Sequence, residues 1–324
     1  MSSDRDLILP PVTEDNICLP LSINAVSRYW NVDLPMDKAT SIAKKYPQIN
    51  GSILAEGMDL AEDHGLGCIV LHSDMNGLRR IIDDGIPPIA ILPGISRTVQ
   101  HASVISGYDD ESKTILHYIP QPNSKGEFQM GVIPEEQFDA LWSEDGYIAI
   151  IIAPPEKLVN MPCSEEERQS NRLCFLSEKQ NLLGDAKSAI KSLKDAIQLY
   201  SSNSTAHSLL GSILNENNSA ECITHYERAL EINPRSYLSF RGLGNYYIKL
   251  QSYAEAEKFY TKAISINATR YGPIYKNRAI TRMNQGNKTG ARKDFEAYLC
   301  NTPDALDGDS IRETLAELGA ECGI

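Results

Sequence analysis

Asp15-Asn-Ile-Cys-Leu-Pro-Leu-Ser-Ile-Asn-Ala-Val-Ser-Arg-Tyr-Trp30 decides how the first half of the chain is read. Leu19, Ile23, Val26 and Trp30 recur at helical spacing, which predicts a helix with that side against a core. Pro20 fits the first turn, where its missing N–H removes no bond. Cys18 then stands at the helix N-terminus, near the positive end of the dipole, where a thiolate is favoured. A nucleophilic Cys also needs a base beside it. His101 is the candidate, opening the apolar segment Gln100-His-Ala-Ser-Val-Ile-Ser-Gly-Tyr-Asp109. A free Cys taken alone is more often a small buried hydrophobe. The spacing to the His101 segment sets Cys18 apart from that plainer reading.

Working outward, residues 1–17 read as an extended lead-in, with Pro10-Pro11 favouring β or polyproline geometry. Met36–Tyr46 and Gly51–His64 are predicted helices, the second stopped by Gly65 and Gly67. From Gly67 the period changes. Strands are predicted at Cys68–Leu71, Ile89–Leu92, His101–Tyr108, Thr114–Tyr118 and Tyr147–Ile152, with helices at Met75–Asp84 and Glu135–Trp142. Helices first and a mostly antiparallel sheet after them define an α+β class. A Pro-rich stretch follows, and beyond it the strand pattern vanishes. The predicted division is a first domain over residues 1–155, a linker over 156–164 and a helical domain over 165–324.

The helical half repeats. Ala189, Cys222, Ala256 and Ala291 are spaced by 33, 34 and 35 residues. Four positions after each come Leu193, Tyr226, Tyr260 and Phe295, and seven after each come Ala196, Ala229, Ala263 and Tyr298. Leu210-Gly211, Leu243-Gly244 and Arg278-Ala279 fall in register in the preceding helices. Small residues let two helices approach, and the aromatics fill the gap between neighbouring pairs. This pattern closely resembles the tetratricopeptide repeat, a helix–turn–helix unit of about 34 residues. Tyr237–Ala268 is the best match, and the unit around Leu173–Leu199 is weak because it lacks the Leu-Gly pair. Ser310–Leu318 reads as a polar capping helix. The resemblance implies an all-α solenoid whose groove binds a protein or peptide partner. Asn245, Lys249 and Arg282 lie on first helices and are the candidate groove residues, with a solvated face as the plainer reading.

The order of segments in residues 1–155 resembles the bacteriocin-processing, double-glycine-leader cysteine peptidases, which have papain-like domains. The resemblance rests on several features together. They are Cys18 on its helix, the Gly65-Leu-Gly and Gly85-Ile-Pro-Pro turns before strands, His101 opening Ser-Val-Ile-Ser-Gly-Tyr-Asp, and Glu136–Trp142 before the last strand. It implies that Cys18 attacks a scissile carbonyl and that His101 serves as general base and then acid. Three positions depart from the family. The oxyanion Gln six residues before the Cys is Val12, with Thr13 and Asn16 as nearby polar residues. Losing one such donor costs roughly 100- to 1,000-fold in rate. The Asp that orients the His becomes Ile119 or Gln121, depending on register; Gln121 retains an amide able to orient an imidazole, and Ile119 does not. The Gly after the Cys is Leu19, which crowds an acyl site.

Composition bounds the remaining choices. A net charge of −12 argues against broad nucleic-acid or anionic-membrane binding. The longest apolar runs are too short or too broken by Pro to span a membrane. Met-Ser-Ser-Asp-Arg-Asp carries no signal-peptide pattern, and seven scattered Cys read as reduced thiols in a cytoplasmic protein. No close set of His, Cys and carboxylates has metal-ligand spacing, and no cofactor is called for. Asn203-Ser-Thr and Asn287-Lys-Thr match glycosylation sequons that such a protein leaves unused. Two functions follow from the sequence. One is a thiol hydrolase or acyltransferase acting on a peptide through Cys18, His101 and Gln121. The other is a degenerate peptidase fold that binds and scaffolds.

Overall fold

A computed structural model describes residues 5–6, 18–45, 54–93, 100–120 and 128–321. By packing, the chain divides into two compact units, Met1–Leu209 and Leu210–Ile324. The first holds strand β1 (Arg5–Asp6) and helices α1 (Cys18–Tyr29), α2 (Met36–Lys44) and α3 (Leu54–Asp63). Next come β2 (Gly67–His72), α4 (Met75–Asp83), β3 (Ile89–Pro93), β4 (Gln100–Asp109), β5 (Thr114–Pro120) and β6 (Phe128–Pro134). Then follow α5 (Glu135–Glu144), β7 (Ile148–Ala153), α6 (Pro155–Leu158), α7 (Glu165–Leu182) and α8 (Ala186–Leu199). Helix α9 (Ser204–Glu216) carries the boundary between the units, so the change in secondary-structure type at residues 156–164 precedes the packing boundary.

The strands form one sheet in the order β2-β7-β3-β4-β5-β6, with β1 paired to β4. Every pairing among the described strands is antiparallel. Helices cover both faces. Leu19, Ile23 and Val26 of α1 pack with Met58 of α3 on Val70, Ile89, Val104 and Ile150. On the other face Leu78 and Ile82 of α4 and Phe138 and Trp142 of α5 pack on Ile69, Leu92, Ile105 and Ile151. Strand β7 lies between both layers, so all six of its residues are buried and its sequence is apolar without alternation. Gly57 lets α3 close on α1: a Cβ there would run into Ile23.

The predicted strands and helices are present, with boundaries moved by a few residues, and no strand occurs beyond residue 170 among those described. Two elements were not expected from the sequence, the short helix α6 inside the expected linker and a sheet strand. Residues Phe128–Pro134 form β6, in register with β5 from Thr114↔Pro134 to Pro120↔Phe128. The lead-in, apart from β1, lies outside the described residues.

The edge strand β2 is closed by side chains of α7. Asn171 Nδ2 donates to Val70 O at 2.8 Å, and the His72 N–H donates to Glu167 Oε1 at 3.4 Å. A bare edge is a template for unwanted pairing, and a covering helix removes it. Asn203 reinforces the joint by donating to Ser170 Oγ and Asn171 Oδ1 at 2.9 and 2.8 Å. It is fully buried, so its sequon offers no attachment point; Asn287 caps its helix by accepting from the Gly290 N–H.

The second unit continues from α9 through α10 (Cys222–Ile232), α11 (Tyr237–Lys249), α12 (Tyr253–Ile266), α13 (Pro273–Asn284), α14 (Lys288–Asn301) and α15 (Gly308–Glu321). It is an all-helical array of hairpins. Tyr226 of α10 lies against Gly211 and Gly242, and Tyr260 of α12 lies against Gly244. A Cβ on Gly211 would approach Tyr226 to 2.8 Å, and one on Gly244 would approach Tyr260 to 2.5 Å. The repeated small residues are therefore sites of close approach, and the repeated aromatics fill the seams. The hairpin turns carry left-handed residues at the same period: Gly184 (φ 84°), Asn218 (57°), Gln251 (57°) and Gly286 (77°). The last helix contributes Ile311 and Leu318 to the core, as a cap should.

Candidate functional site

Cys18 is the first residue of α1, and no acidic side chain stands in that first turn. The far end of α1 is pinned twice. Trp30 Nε1 donates to Ile152 O at 2.9 Å, and the Tyr29 hydroxyl donates to Gly85 O at 2.9 Å. These bonds and the core contacts of Leu19 and Ile23 hold the helix start against β4. There the Cys18 Sγ accepts a hydrogen bond from the Ala102 N–H at 3.4 Å. The structure thus brings the thiol to the residue following His101.

The imidazole itself is held differently. His101 pairs with Leu92 across β3 and β4, and directly opposite residues share a sheet face. Leu92 belongs to the layer under α4 and α5, whereas Ala102 belongs to the layer under α1. The Cα–Cβ bond of His101 therefore leaves the strand toward the α4–α5 side. His101 is 7% exposed, and its Nε2 is buried without a hydrogen-bond partner. The thiol and the imidazole share no hydrogen bond.

The electrostatics follow from that arrangement. Burial pushes the Cys18 thiol up, and the Ala102 N–H only partly opposes it. Burial, followed by the neighbouring His117, drives His101 down to about 4. Both groups are neutral near pH 7. The thiolate expected at a helix N-terminus is not favoured here, because desolvation outweighs the dipole and no imidazolium stands by.

His117, on β5, also stands close to β4. Its Nδ1 lies 2.9 Å from Ser103 Oγ, and that hydroxyl donates to Tyr118 O at 2.9 Å. A hydroxyl has one proton, so Ser103 accepts from His117, which carries its own proton on Nδ1. Burial also lowers the His117 pKa. Gln121 lies outside the described residues, as do Val12, Thr13 and Asn16; Ile119 lies on β5.

The groove residues expected in the repeats are engaged within the protein. Lys249 Nζ donates to Asn215 O at 2.7 Å, to its Oδ1 at 3.1 Å and to Asn218 Oδ1 at 3.4 Å, closing the C-terminus of α9. Arg282 Nε donates to Glu257 at 2.7 Å, and its Nη1 donates to Asp294 at 2.9 Å. Asn245 Oδ1 accepts from the Tyr260 hydroxyl at 2.9 Å and from Asn277 Nδ2 at 3.3 Å, leaving its amide N–H groups. One turn before Asn245, the half-buried Arg241 stacks over the Tyr271 ring at 5.0 Å. Arg241 has no carboxylate at ion-pair distance among the described residues. The sequence reading missed it, although its i,i+4 spacing to Asn245 was a usable signal.

In the first unit, Ala55 and Met58 of α3 and Leu173 and Leu176 of α7 line a hollow of about 290 Å³. Its basic residues are already paired, Lys179 with Glu56 at 2.7 Å and Arg172 with Glu62 at 2.6 Å. Among the described residues no group of three or more His, Cys, Asp or Glu could hold a metal ion. No helix among them is long and apolar enough to cross a membrane.

A family model described as tetratricopeptide repeat matches residues 242–270, which comprise most of α11, its turn and α12. No curated protein matches the chain. Among solved structures, similarity extends to Pseudomonas aeruginosa pilF, with 17% identity over 49% of this chain and 71% of that one, at a TM-score of 0.43. The MamA protein matches at 24% identity over 41% and 72% of the two chains, with a TM-score of 0.38. Thermobaculum terrenum O-GlcNAc transferase matches at 14% identity over 42% and 27%, with a TM-score of 0.39. The family match gives the chain a tetratricopeptide repeat at residues 242–270, a class of module suited to protein–protein interaction.

Proposed function

We propose that this protein is a binding protein whose repeat region takes a protein or peptide partner, and whose α+β region is a peptidase-like scaffold without turnover in its resting state. The repeat match at residues 242–270 carries the interaction half of this reading. Arg241 supports an acidic group on the partner, since a half-buried guanidinium without a carboxylate gains most from an incoming one. For the other half, the neutral Cys18 and His101, which share no hydrogen bond, are the supporting observation. Papain-like thiol chemistry starts from an activated thiolate, and no cation among the described residues pairs with Cys18. The hydrolase reading keeps one specific support, the hydrogen bond that seats the thiol against the His101 strand.

Thiol labelling separates the two. Wild type, Cys18→Ala and His101→Ala are treated with a thiol-directed electrophile between about pH 5 and pH 8, and each Cys is followed by mass spectrometry. The binding reading expects Cys18 to label no faster than the exposed Cys300, and His101→Ala to leave its rate unchanged. Fast labelling at mildly acidic pH that collapses in His101→Ala would establish the ion pair and sink the scaffold reading. Interaction is measured separately, by titrating the full chain with acidic and basic peptide arrays. Preference for acidic peptides that is lost in Arg241→Ala is expected; equal binding by both proteins removes Arg241 from the site.

A further inference from the structure

The two ends of the sheet are treated differently. At β2 the helix α7 supplies Asn171 and Glu167 to the free backbone groups. At the other end β6 pairs only with β5 among the described residues. Its segment Phe128-Gln-Met-Gly-Val-Ile-Pro134 has no charged residue, the usual protection of an edge strand. Met130 and Val132 are 41% and 61% exposed.

Register fixes which backbone groups are free. In an antiparallel pair, opposite residues alternate between those that exchange both hydrogen bonds and those that exchange none. The Glu135 N–H donates to Lys113 O at 2.9 Å, one step beyond the Thr114↔Pro134 pair. Counting inward by twos, Ile133 and Gly131 turn their backbone groups toward β5. Met130 and Val132 turn theirs outward, where no described strand pairs with them.

We propose that this edge is a homodimer contact, in which β6 of two copies pair antiparallel about a two-fold axis at Gly131. In that register Met130 of one copy faces Val132 of the other, and both pairs exchange N–H···O bonds, giving four hydrogen bonds. The two Met–Val pairs lie on one face, where each covers the other's exposed apolar surface. The two Gly131 residues meet at the non-bonded position, where Cα atoms come within about 4.5 Å and side chains crowd most. Glycine removes that crowding. Pro134, without an N–H, ends the zipper. A strip without charge also suits a second copy of a chain with net charge −12, because the contact adds no like-charge opposition. A single strand pair falls below the area of a standard stable interface, so the dimer is a weak, concentration-dependent one.

Sedimentation velocity on the full chain from about 10 to about 500 μM, spanning the weak-contact range, tests it. Wild type is expected to shift from monomer toward dimer. Val132→Lys should weaken the association at least tenfold, and Val132→Thr, which keeps a β-branched strand residue, should retain it. Register is read with Gly131→Cys. Its Cα separation in the proposed pair lies within disulfide range, so mild oxidation should give a 131–131 cross-link, identified by mass spectrometry. Ile133→Cys should give none with itself. Wild type that stays monomeric to the highest concentration overturns the proposal. So does a dimer that survives Val132→Lys, or one in which position 131 does not cross-link to its own copy.

Discussion

The two regions of the molecule hold their elements together with different polar contacts, ionic in the repeats and neutral around α1, and each also buries side-chain atoms without a hydrogen-bond partner. Around α1 and β4, Ser22 Oγ, Asn24 Oδ1 and His101 Nε2 are buried with no hydrogen-bond partner. In the repeats, Asp294 takes two bonds from Arg278, at 2.7 and 2.9 Å, and one from Arg282, while Lys249 closes α9. The difference teaches where specificity is already committed. The repeat joints are locked by ionic side chains that a sequence reader could assign to a binding surface. The Cys18 neighbourhood is held by apolar packing and by neutral hydrogen bonds, including the one that Cys18 Sγ accepts from the Ala102 N–H.

The sharpest way to break this comparison is to remove the ionic lock. Asp294 is 2% exposed and serves two guanidinium groups. Asp294→Ala leaves Arg278 without its carboxylate in a partly buried seam, while Arg282 keeps Glu257, and removing one member of a buried pair costs about 3–5 kcal/mol. Urea unfolding should show that loss in the transition of the repeat region. A loss under about 1 kcal/mol would mean that these pairs act as surface ion pairs. The repeat joints would then be held by the tyrosine–glycine contacts alone.

Acid should act on the other region. Burial lowers His72 to about 4, and burial with His117 lowers His101 to about 4. The unfolded chain titrates near 6.5, so between about pH 6.5 and pH 4 the unfolded state binds more protons. This contribution is fully present above pH 6.5 and is lost as the pH falls toward 4. Each such group gives a slope of about 1.4 kcal/mol per pH unit across the window, about 3 kcal/mol in all. His72 bonds Thr205 Oγ1 through Nε2 at 3.1 Å, so His72→Gln keeps a polar group there and removes the titration. Its unfolding free energy should depend on pH less steeply than that of the wild type. An unchanged slope would show that His72 is not buried neutral.

Much of this architecture was legible because it rests on period. The α1 stripe and the spacing of Ala189, Cys222, Ala256 and Ala291 reflect burial faces, and burial faces recur in sequence. The β6 strand was illegible because Gly131 interrupts its alternation and its neighbour β5 supplies the pairing. The partners of Lys249 and Arg282 were illegible for a different reason. A cation on a helix reads as solvated until the fold brings it a carbonyl or a carboxylate, and both partners here are non-local in sequence. For Cys18 the sequence showed the dipole correctly but not the depth of burial, which sets the sign of the pKa shift.

The smallest expected effect tests the turns. Four hairpin turns use a left-handed residue, and two of them use glycine. Asn218 tolerates that region through its short polar side chain, whereas Gln251, at φ 57°, has no such compensation. The left-handed conformation costs a non-glycine residue about 1–2 kcal/mol. Glycine relieves it but gives back about 0.5–1 kcal/mol as added freedom of the unfolded chain. Gln251→Gly should therefore stabilise the repeat region by up to about 1 kcal/mol, and Asn218→Gly should change it by less. Both are read from the same urea transition as Asp294→Ala. A destabilised Gln251→Gly would show that the glutamine side chain contributes more to its turn than its backbone strain removes. The period of left-handed residues would then follow from hairpin geometry without marking sites for improvement.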